Sequence, residues 1–221
     1  MPVASASSSA EADPGTVLSM VVLISGSGTN LQAIIERIEH GELAVRIAAV
    51  ISNEPLAFGL ERARRAGIAA RCVDHRDYSS RAAYDTALAA VIDEYEPGLI
   101  ILAGYMRILT ASLVARYAGR VMNIHPSLLP AYPGLDTHAR VLADGATEHG
   151  ATVHFVTAEL DSGPIIIQQR VAVLPDDGAE SLQQRVHRAE YQIYPQAIGW
   201  FAAGRLSIDG ERVLLDGQLR P

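Results

Sequence analysis

The chain has 221 residues, of which 49% are hydrophobic and 19% are charged, and its formal net charge is -7. This length and composition allow a full hydrophobic core and exclude a wholly disordered chain. The net charge argues against a role in coating DNA or RNA, which requires a basic surface, but not against binding a small anion. The single cysteine, Cys72, excludes an intrachain disulfide framework and a cysteine-rich zinc site, and it fits a reducing cytoplasm.

The first sixteen residues are small and polar, and they lack the basic start and the apolar segment of a secretory signal. Residues 1–16 are therefore predicted to be a flexible N-terminal tail. No apolar run approaches the ~18 residues of a membrane span, so we expect a soluble cytoplasmic protein without a membrane partner. Residues 17–221 contain no linker or internal repeat, and we predict that they form a single domain.

From residue 17 to residue 124, apolar segments alternate with segments of helical periodicity. Strands are predicted at Val17–Ile24, Val45–Ile51, Leu99–Ala103 and Arg120–Ile124. Helices are predicted at Phe58–Ala66, Ser80–Tyr95 and Thr110–Tyr117, and around the periodic residues Leu31, Ile34, Ile35 and Ile38. The strands are too uniformly apolar to leave one face in water, so helices must cover both faces of a mostly parallel sheet.

The pattern changes after residue 150. Ala151–Thr157 and Pro164–Val173 alternate in polarity and are joined by a short connection, which is typical of an antiparallel pair. A long helix is predicted at Ala179–Ala203, where Pro195 is expected to produce a kink or a division. The predicted fold class is therefore α/β: a doubly wound, mostly parallel, Rossmann-like sheet with an antiparallel C-terminal strand extension.

The polar segment Ser25–Asn30 (SGSGTN) lies between the first predicted strand and the first predicted helix. Its glycines permit a sharp turn, and the helix start offers unpaired N–H groups and the positive end of a dipole, which together favour a phosphate. No Gly-Lys-Ser/Thr follows, and Leu31 replaces the third glycine of a dinucleotide-binding motif. We predict a phosphate-binding loop; the alternative is a tight turn that serves only folding.

A second polar segment begins at the end of the Arg120–Ile124 strand. Asn123 and His125 are two residues apart, so their side chains leave a continuing strand on the same face. Ligands of open α/β sheets gather at the carboxyl ends of strands, and the prolines at 126, 130 and 133 stiffen the loop that follows. This combination favours catalysis, while a histidine at a strand end on its own is as consistent with a structural hydrogen bond.

The connection between the two late strands contains Asp161–Pro164 (DSGP). Turn formation alone explains these residue types. A carboxylate close to His125 would have a second meaning, because it would favour the protonated imidazole, fix its tautomer and accept a proton. The sequence leaves both interpretations open.

Three further histidines suggest a metal site: His138, His149 and His154. They lack the helical i, i+4 pairing and the cysteine neighbours of common zinc sites. Structural or solvated roles are therefore expected for them, and no metal is predicted. Cys72 is interpreted as an ordinary packing residue.

The segments Asn123–Pro130 (NIHPSLLP) and Asp161–Pro164 closely resemble the folate-dependent formyltransferase family. The likeness extends from about Met20 to Gln218 through LISGSGTNLQAII, AFGLERARRAGI, LAGYMRIL, NIHPSLLPAYPGL, EHGATVHFVTAELDSGPII and YPQAIGWFAAGRL. It identifies residues 17–221 as a formyltransferase domain. The resemblance implies transfer of the formyl group of 10-formyltetrahydrofolate, a co-substrate, to the amine of 5-phosphoribosylglycinamide in purine biosynthesis, with no metal required.

The resemblance also implies roles for individual residues. The catalytic trio corresponds to Asn123, His125 and Asp161. Substrate-binding positions, including the phosphate loop and a glutamate for the ribose hydroxyls, correspond to Gly26, Ser27, Gly28, Thr29, Asn30, Pro126, His187 and Glu190. Folate-binding positions correspond to Arg81, Met106, Arg107, Ile108, Leu109, Thr157, Ala158, Glu159 and Leu160. Two positions depart from the family pattern: Asp136 stands where some relatives carry histidine, and His187 where glutamine or lysine is common.

The implied mechanism is direct attack of the amine on the formyl carbon. Asn123 and protonated His125 would stabilise the oxyanion, and Asp161 would assist proton transfer. The implied partners are small molecules, and nucleic acid is not among them. Some members of the family form dimers, so the alternatives of a monomer and a homodimer both stay open for this chain.

Three alternatives are a formyltetrahydrofolate hydrolase, a methionyl-tRNA formyltransferase-like enzyme, and a non-catalytic folate- or nucleotide-binding protein. The tRNA enzyme is expected to carry a further C-terminal domain, and the hydrolase a further N-terminal regulatory domain. An intact trio argues against pure binding.

Overall fold

The structure, a computed structural model, describes residues 17–219, so the predicted tail at residues 1–16 lies outside it. The helices of the described region are α1 (Thr29–Glu39), α2 (Phe58–Arg65), α3 (Arg81–Asp93), α4 (Ala111–Arg116), α5 (Thr137–Ala143) and α6 (Ala179–Ala202). The strands are β1 (Leu18–Ile24), β2 (Val45–Ser52), β3 (Ala69–Cys72), β4 (Leu99–Leu102), β5 (Val121–His125), β6 (Glu148–Phe155), β7 (Ile165–Ala172), β8 (Leu206–Asp209), β9 (Arg212–Leu215) and β10 (Gln218–Leu219).

The main sheet has the strand order β3-β2-β1-β4-β5-β6-β7. The strands from β3 to β5 are parallel, whereas β6 pairs antiparallel with both β5 and β7. The predicted α/β class, with a mostly parallel, doubly wound sheet and an antiparallel extension, is confirmed.

Alternate residues of β1 contribute to the two sides of the sheet. Met20 and Val22 belong to a buried cluster with residues of α1 and α6, while Val21 and Leu23 belong to a second cluster with residues of α3 and α4. All four side chains are 0% exposed. Helices therefore cover both faces of this central strand, as its uniformly apolar sequence predicts.

Some elements were not predicted. The strand β3 lies at the sheet edge, and its largely exposed residues give no apolar pattern. The helix α5 spans only seven residues. The strands β8, β9 and β10 form a small antiparallel sheet, which buries Val213 and Leu215 against the main core. Short elements such as these depend on tertiary packing more than on periodicity.

The long helix α6 continues through Pro195, so the predicted division of this helix is absent. A proline removes one backbone hydrogen bond, but Pro195 lies in a buried part of α6, and tertiary packing of this kind favours an unbroken helix. The adjacent Tyr194 is fully buried, and its hydroxyl donates to the carbonyl oxygens of Leu102, at 2.9 Å, and Met122, at 3.0 Å. Among residues 17–219, none of the helices combines the length and apolar character needed to cross a membrane.

Candidate active site

A cavity of about 490 Å³ lies at the carboxyl ends of β4 and β5. In doubly wound sheets, ligands bind where the strand order reverses, and here β1 and β4 are the neighbours on either side of that reversal. The walls comprise residues 104–109, 123–126, 134–138 and 156–161, together with Leu102, Val114, His154 and Gln183. The cavity therefore occupies the position at which this fold class binds ligands.

Asn123 and His125 both lie in β5, and both line this cavity. The Nε2–H of His125 donates to the carbonyl oxygen of Tyr132 over 2.9 Å. The other ring nitrogen, Nδ1, is 3.4 Å from Oδ2 of Asp161, and the side chains of His125 and Asp161 are each 7% exposed. The structure thus brings together the three residues of the predicted trio, including the pair whose contact the sequence left open.

Asp161 is held in place by the geometry of its turn. Its φ is 51°, in the left-handed region, which aspartate tolerates better than most residues. Its Oδ2 accepts a hydrogen bond from the backbone N–H of Gly134 over 2.8 Å. Two residues later, a Cβ on Gly163 would lie 1.8 Å from the carbonyl oxygen of Phe155, so this turn requires glycine there. The DSGP segment is both a tight turn and the support of a carboxylate.

The loop after β5 is tied to the strands β6 and β7. The hydroxyl of Thr152 donates to the carbonyl oxygen of Ser127, at 2.6 Å, and accepts from the N–H of Leu129, at 3.1 Å. Gln168 donates to the carbonyl oxygen of Leu129, at 2.8 Å, and to the same hydroxyl, at 2.9 Å. These bonds fix the loop that carries Tyr132, the hydrogen-bond acceptor for His125.

Asn123 also contacts His154, for which a structural or solvated role was expected. Its Nδ2 lies 3.2 Å from Nε2 of His154, while Nδ1 of His154 lies 2.9 Å from the carbonyl oxygen of Phe155. The side chain of His154 is buried, and burial lowers its pKa. Strand register could have revealed this pair, since Asn123 and His154 are directly opposite in β5 and β6.

The residues predicted to bind folate in two segments all line the cavity: Met106, Arg107, Ile108, Leu109, Thr157, Ala158, Glu159 and Leu160. Among these, Met106 is 66% exposed, Ile108 50% and Leu160 49%, so apolar side chains remain accessible at its walls. Arg81, the first residue of α3, is exposed and lies outside the lining of the cavity. Its predicted contact with folate stays a prediction.

The predicted phosphate loop forms a tight turn at the start of α1. Gly28 has a φ of 70°, and a Cβ there would meet the Cα of Gly59 at 2.7 Å. The N–H of Gly59 donates to the carbonyl oxygen of Gly26 over 3.0 Å, and Nε of Arg62 donates to that of Ser27 over 2.8 Å. The helix begins without a side-chain cap. The N–H groups at the start of this helix and the nearby guanidinium of Arg62 suit an anion. The contact between Arg62 and the loop is tertiary, so no local pattern in the sequence indicates it.

Glu190 is buried between α6 and α1. Its Oε2 accepts a hydrogen bond from Nδ2 of Asn30 over 2.9 Å. Burial raises the pKa of the Glu190 carboxyl to about 7, and the Asn30 hydrogen bond opposes this effect only in part. The Oδ1 of Asn30 has no hydrogen-bond partner among the described residues. A buried polar atom of this kind is a candidate for binding a ligand.

The helix α6 connects this buried pair with the cavity. Gln183 lines the cavity, and His187 and Glu190 follow at i+4 and i+7, on the same side of the helix. Seven residues of helix span about 10 Å, so the two sites are separated by roughly two turns. His187 is partly buried and stacks on Tyr191, with ring centroids 6.0 Å apart, and burial lowers its pKa. One elongated ligand region is consistent with this spacing.

Within residues 17–219, no three His, Cys, Asp or Glu side chains are grouped so that they could hold a metal ion. Two of the histidines considered for a metal contact each other, with Nδ1 of His138 3.0 Å from Nε2 of His149. Burial lowers the pKa of His138 and lowers that of His149 to about 4.

Comparison with known proteins places the chain in a family. The formyl transferase family matches residues 18–198. The phosphoribosylglycinamide formyltransferase of Escherichia coli (strain K12) is 50% identical over 204 residues, which cover 92% of this chain and 96% of that protein. The solved structure of phosphoribosylglycinamide formyltransferase from Coxiella burnetii, in complex with CHES, is 51% identical, has a TM-score of 0.89, and covers 93% of this chain and 97% of that one. The chain therefore belongs to the formyl transferase family.

Proposed function

We propose that the protein transfers the formyl group of 10-formyltetrahydrofolate to the amine of 5-phosphoribosylglycinamide in purine biosynthesis. The observation that carries this proposal is the buried pairing of His125 with Asp161 beside Asn123, on the wall of the cavity. The names of relatives about 50% identical over nearly their whole length support the same acceptor and the same transferred group.

The cavity suits the folate co-substrate. When bound, this co-substrate would supply the formyl group, which it carries on a nitrogen atom. The cavity volume of about 490 Å³ is within the range of small-molecule sites, ~300–1,000 Å³. Side chains of residues 106–109 offer apolar contact, and the turn at residues 157–160 offers backbone N–H and carbonyl groups. These two segments would hold the pterin ring.

The phosphorylated substrate would bind across the phosphate loop and α6. The phosphate would bind at the start of α1, just after Gly28, where uncapped N–H groups and the helix dipole favour negative charge. Glu190, with Asn30 beside it, would accept hydrogen bonds from the ribose hydroxyls. With the ribose bound at Glu190, the distance of about 10 Å along α6 to the cavity leaves room for the glycinamide chain to reach the formyl carbon.

Asn123 and His125 would stabilise the negative charge that develops on the formyl oxygen as the amine attacks. Nε2–H of His125 already donates to the carbonyl oxygen of Tyr132. The donor to the formyl oxygen would therefore be Nδ1–H of the ring, and this hydrogen would be shared between that oxygen and the Asp161 carboxylate, 3.4 Å away. An N–H of Asn123 provides the second donor. Removing one such donor typically lowers the rate ~10²–10³-fold.

Asp161 would stabilise the protonated form of His125 and assist movement of the amine proton to the departing folate nitrogen. Its Oδ2 is already held by the N–H of Gly134, which keeps the carboxylate oriented toward the imidazole. General acid–base assistance of this kind contributes ~10²–10⁴-fold. No step requires a covalent bond to the protein.

The same trio could serve a hydrolase in which water replaces the amine. Such a reaction has no use for the phosphate loop or for the buried Asn30–Glu190 pair, which lies about two turns along α6 from the cavity, and both features favour a phosphorylated acceptor. The single domain at residues 17–221 and the cytoplasmic location remain predictions, and the alternatives of a monomer and a homodimer both stay open.

The test is an assay of tetrahydrofolate release with both substrates, run on the wild type, His125→Ala and Asp161→Asn. His40→Ala, at an exposed histidine just after α1, is the matched control and should retain full activity. The wild type should release tetrahydrofolate only when 5-phosphoribosylglycinamide is present, and His125→Ala should lose at least ~10²-fold in kcat. Release without the acceptor would identify a hydrolase, and no release by folded wild type would reject the formyl transfer.

A further inference from the structure

We propose that His154 is a positioning residue, which accepts a hydrogen bond from the Asn123 amide and thereby keeps an N–H of that amide directed at the reacting oxygen. The proposal rests on the proposed function, because it concerns the donor that Asn123 provides. His154 is not required to touch either substrate for this role.

The contact is a cross-strand pair in the register of β5 and β6, where Asn123 is directly opposite His154. Nδ2 of Asn123 lies 3.2 Å from Nε2 of His154, a hydrogen-bonding distance between two nitrogens. The His154 side chain is only 3% exposed. A buried polar pair at this distance is stable only if one nitrogen donates and the other accepts.

The hydrogen bond at the other side of the ring determines which nitrogen accepts. Nδ1 of His154 is 2.9 Å from the carbonyl oxygen of Phe155, and a carbonyl can only accept, so Nδ1 carries a hydrogen. In the neutral ring, Nε2 then has a free lone pair and must accept from the Asn123 amide nitrogen. The tautomer of His154 therefore fixes the orientation of the amide.

The charged state of His154 is the second condition. Its protonated form would direct Nε2–H at the amide N–H of Asn123, and the two donors would repel each other. Burial disfavours this form and lowers the pKa of His154. Of the groups that face the ring, Asp161, with Oδ1 3.9 Å from Nε2, favours protonation and His125 opposes it. The neutral ring is therefore the form that the site favours.

An incorrectly oriented amide would oppose the reaction. A flip would direct Oδ1 of Asn123 at the lone pair of His154 Nε2, and this repulsion excludes the flipped orientation. In the observed orientation one Nδ2–H bonds to His154 and the second N–H remains for the developing oxyanion. The hydrogen bond to His154 thus restricts rotation of the Asn123 amide to the one orientation that directs an N–H at the reacting oxygen.

The kinetic test is a double-mutant cycle of His154→Leu and Asn123→Ala. His154→Leu alone should lower kcat ~10–10²-fold with little change in either KM, whereas in the Asn123→Ala background it should cost less than ~3-fold. His154→Gln, which restores an acceptor near the Nε2 position, should recover most of the loss. Val153→Ala, at the preceding residue of β6 and buried in the core, controls for loosened packing and should leave kcat nearly unchanged. Equal losses in both backgrounds would overturn the proposal.

The second measurement does not depend on catalysis. Long-range ¹H–¹⁵N correlation of the wild-type histidine side chains should show His154 as the neutral Nδ1–H tautomer at pH 7. Observation of the Nε2–H tautomer, or of a doubly protonated ring, would overturn the proposal even in a fully active enzyme. An inactive wild type with the expected tautomer would instead reject the proposed function and leave the Asn123–His154 geometry standing.

Discussion

Asn30 on α1 donates a hydrogen bond of 2.9 Å to the buried carboxyl of Glu190 on α6, 160 residues along the chain. The contact joins the phosphate loop to the helix that reaches the cavity. The burial of this carboxyl should also make the stability of the folded protein depend on pH, because the single hydrogen bond from Asn30 offsets only part of the cost of burying a charged carboxylate.

Glu190→Gln should stabilise the substrate-free protein at high pH and leave it unchanged at low pH. The pKa of this carboxyl is raised from 4.5 to about 7 in the folded protein. Folding is therefore unpenalised below pH 4.5, where both states are protonated, and becomes progressively less favourable until about pH 7. Above pH 7, the free energy of unfolding of the wild type should therefore be lower than that of Glu190→Gln by on the order of 3 kcal/mol, at ~1.4 kcal/mol for each pH unit by which the pKa is raised.

The measurement is the free energy of unfolding from urea titrations between pH 4 and pH 8. Glu36→Gln, at an exposed glutamate on α1, is the control and should change the unfolding free energy by less than ~0.5 kcal/mol throughout. A stability difference between wild type and Glu190→Gln that stays constant with pH would contradict the buried-carboxyl explanation.

Gly28→Ala should weaken binding of the phosphorylated substrate more than binding of folate. The new Cβ would meet the Cα of Gly59 at 2.7 Å in a backbone with a φ of 70°, so the loop must move away from α2. We expect the KM for 5-phosphoribosylglycinamide to rise at least ~10-fold and that for folate to change less than ~2-fold.

Gly41→Ala separates the clash from the backbone strain. Gly41 follows the other end of α1 with a φ of 73°, but a Cβ there has open space around it. This variant should lose ~1 kcal/mol of stability while both KM values stay unchanged. An equal rise of both KM values in Gly28→Ala would indicate that the loop serves folding alone.

The sequence places two residues of the predicted trio together for a clear physical reason. Asn123 and His125 share one strand, and two-residue spacing alone places their side chains on one face. Alternating polarity predicts that β6 and β7 pair with each other, but Asp161 approaches Asn123 and His125 only because β6 also pairs with β5, and local periodicity does not determine which strands are neighbours. The position of Asp161 also depends on Gly163, whose close approach to Phe155 is a tertiary contact.

His154 shows a related limit. No motif or spacing in the sequence distinguishes His154 from the other histidines. It lies opposite Asn123 because of the register between β5 and β6. Register follows from turn geometry and from side-chain packing across strands, so a residue-by-residue pattern does not determine it. The fold class can be predicted from the alternation of apolar and helical segments alone. Prediction of the site also requires the distances between residues on neighbouring strands, which the sequence does not give.

Gly163→Ala should reduce kcat by displacing Asp161. An added Cβ would lie 1.8 Å from the carbonyl oxygen of Phe155, so the turn between β6 and β7 must open. A misplacement of about 1 Å at a catalytic group can cost ~10²-fold in rate, and we expect a loss of that order together with reduced thermal stability. Gly199→Ala, inside α6 with its nearest neighbour atom at an ordinary 3.5 Å, should be neutral or stabilising. Near-normal kcat in folded Gly163→Ala would mean that Asp161 need not be held at this position.

Thr152→Val should loosen the loop that orients His125. The Thr152 hydroxyl is fully buried, bonds to Ser127 and Leu129, and accepts from Gln168. Valine keeps the shape but leaves these polar groups unpaired, at an expected cost of ~1–3 kcal/mol in the free energy of unfolding. Since the loop carries the carbonyl that holds His125, kcat should fall about 10-fold while both KM values change little.

The control for this loop is Thr86→Val, on the exposed side of α3, where the hydroxyl donates to the carbonyl oxygen of Ala82 in its own helix. Its unfolding free energy should change by less than ~0.5 kcal/mol and its kcat not at all. If Thr152→Val lost stability but kept its full kcat, the Thr152 hydroxyl would support folding only. The orientation of His125 would then not depend on this loop. Loss of both in Thr152→Val, and of neither in Thr86→Val, would tie the rigidity of the loop after β5 to the chemistry at its start.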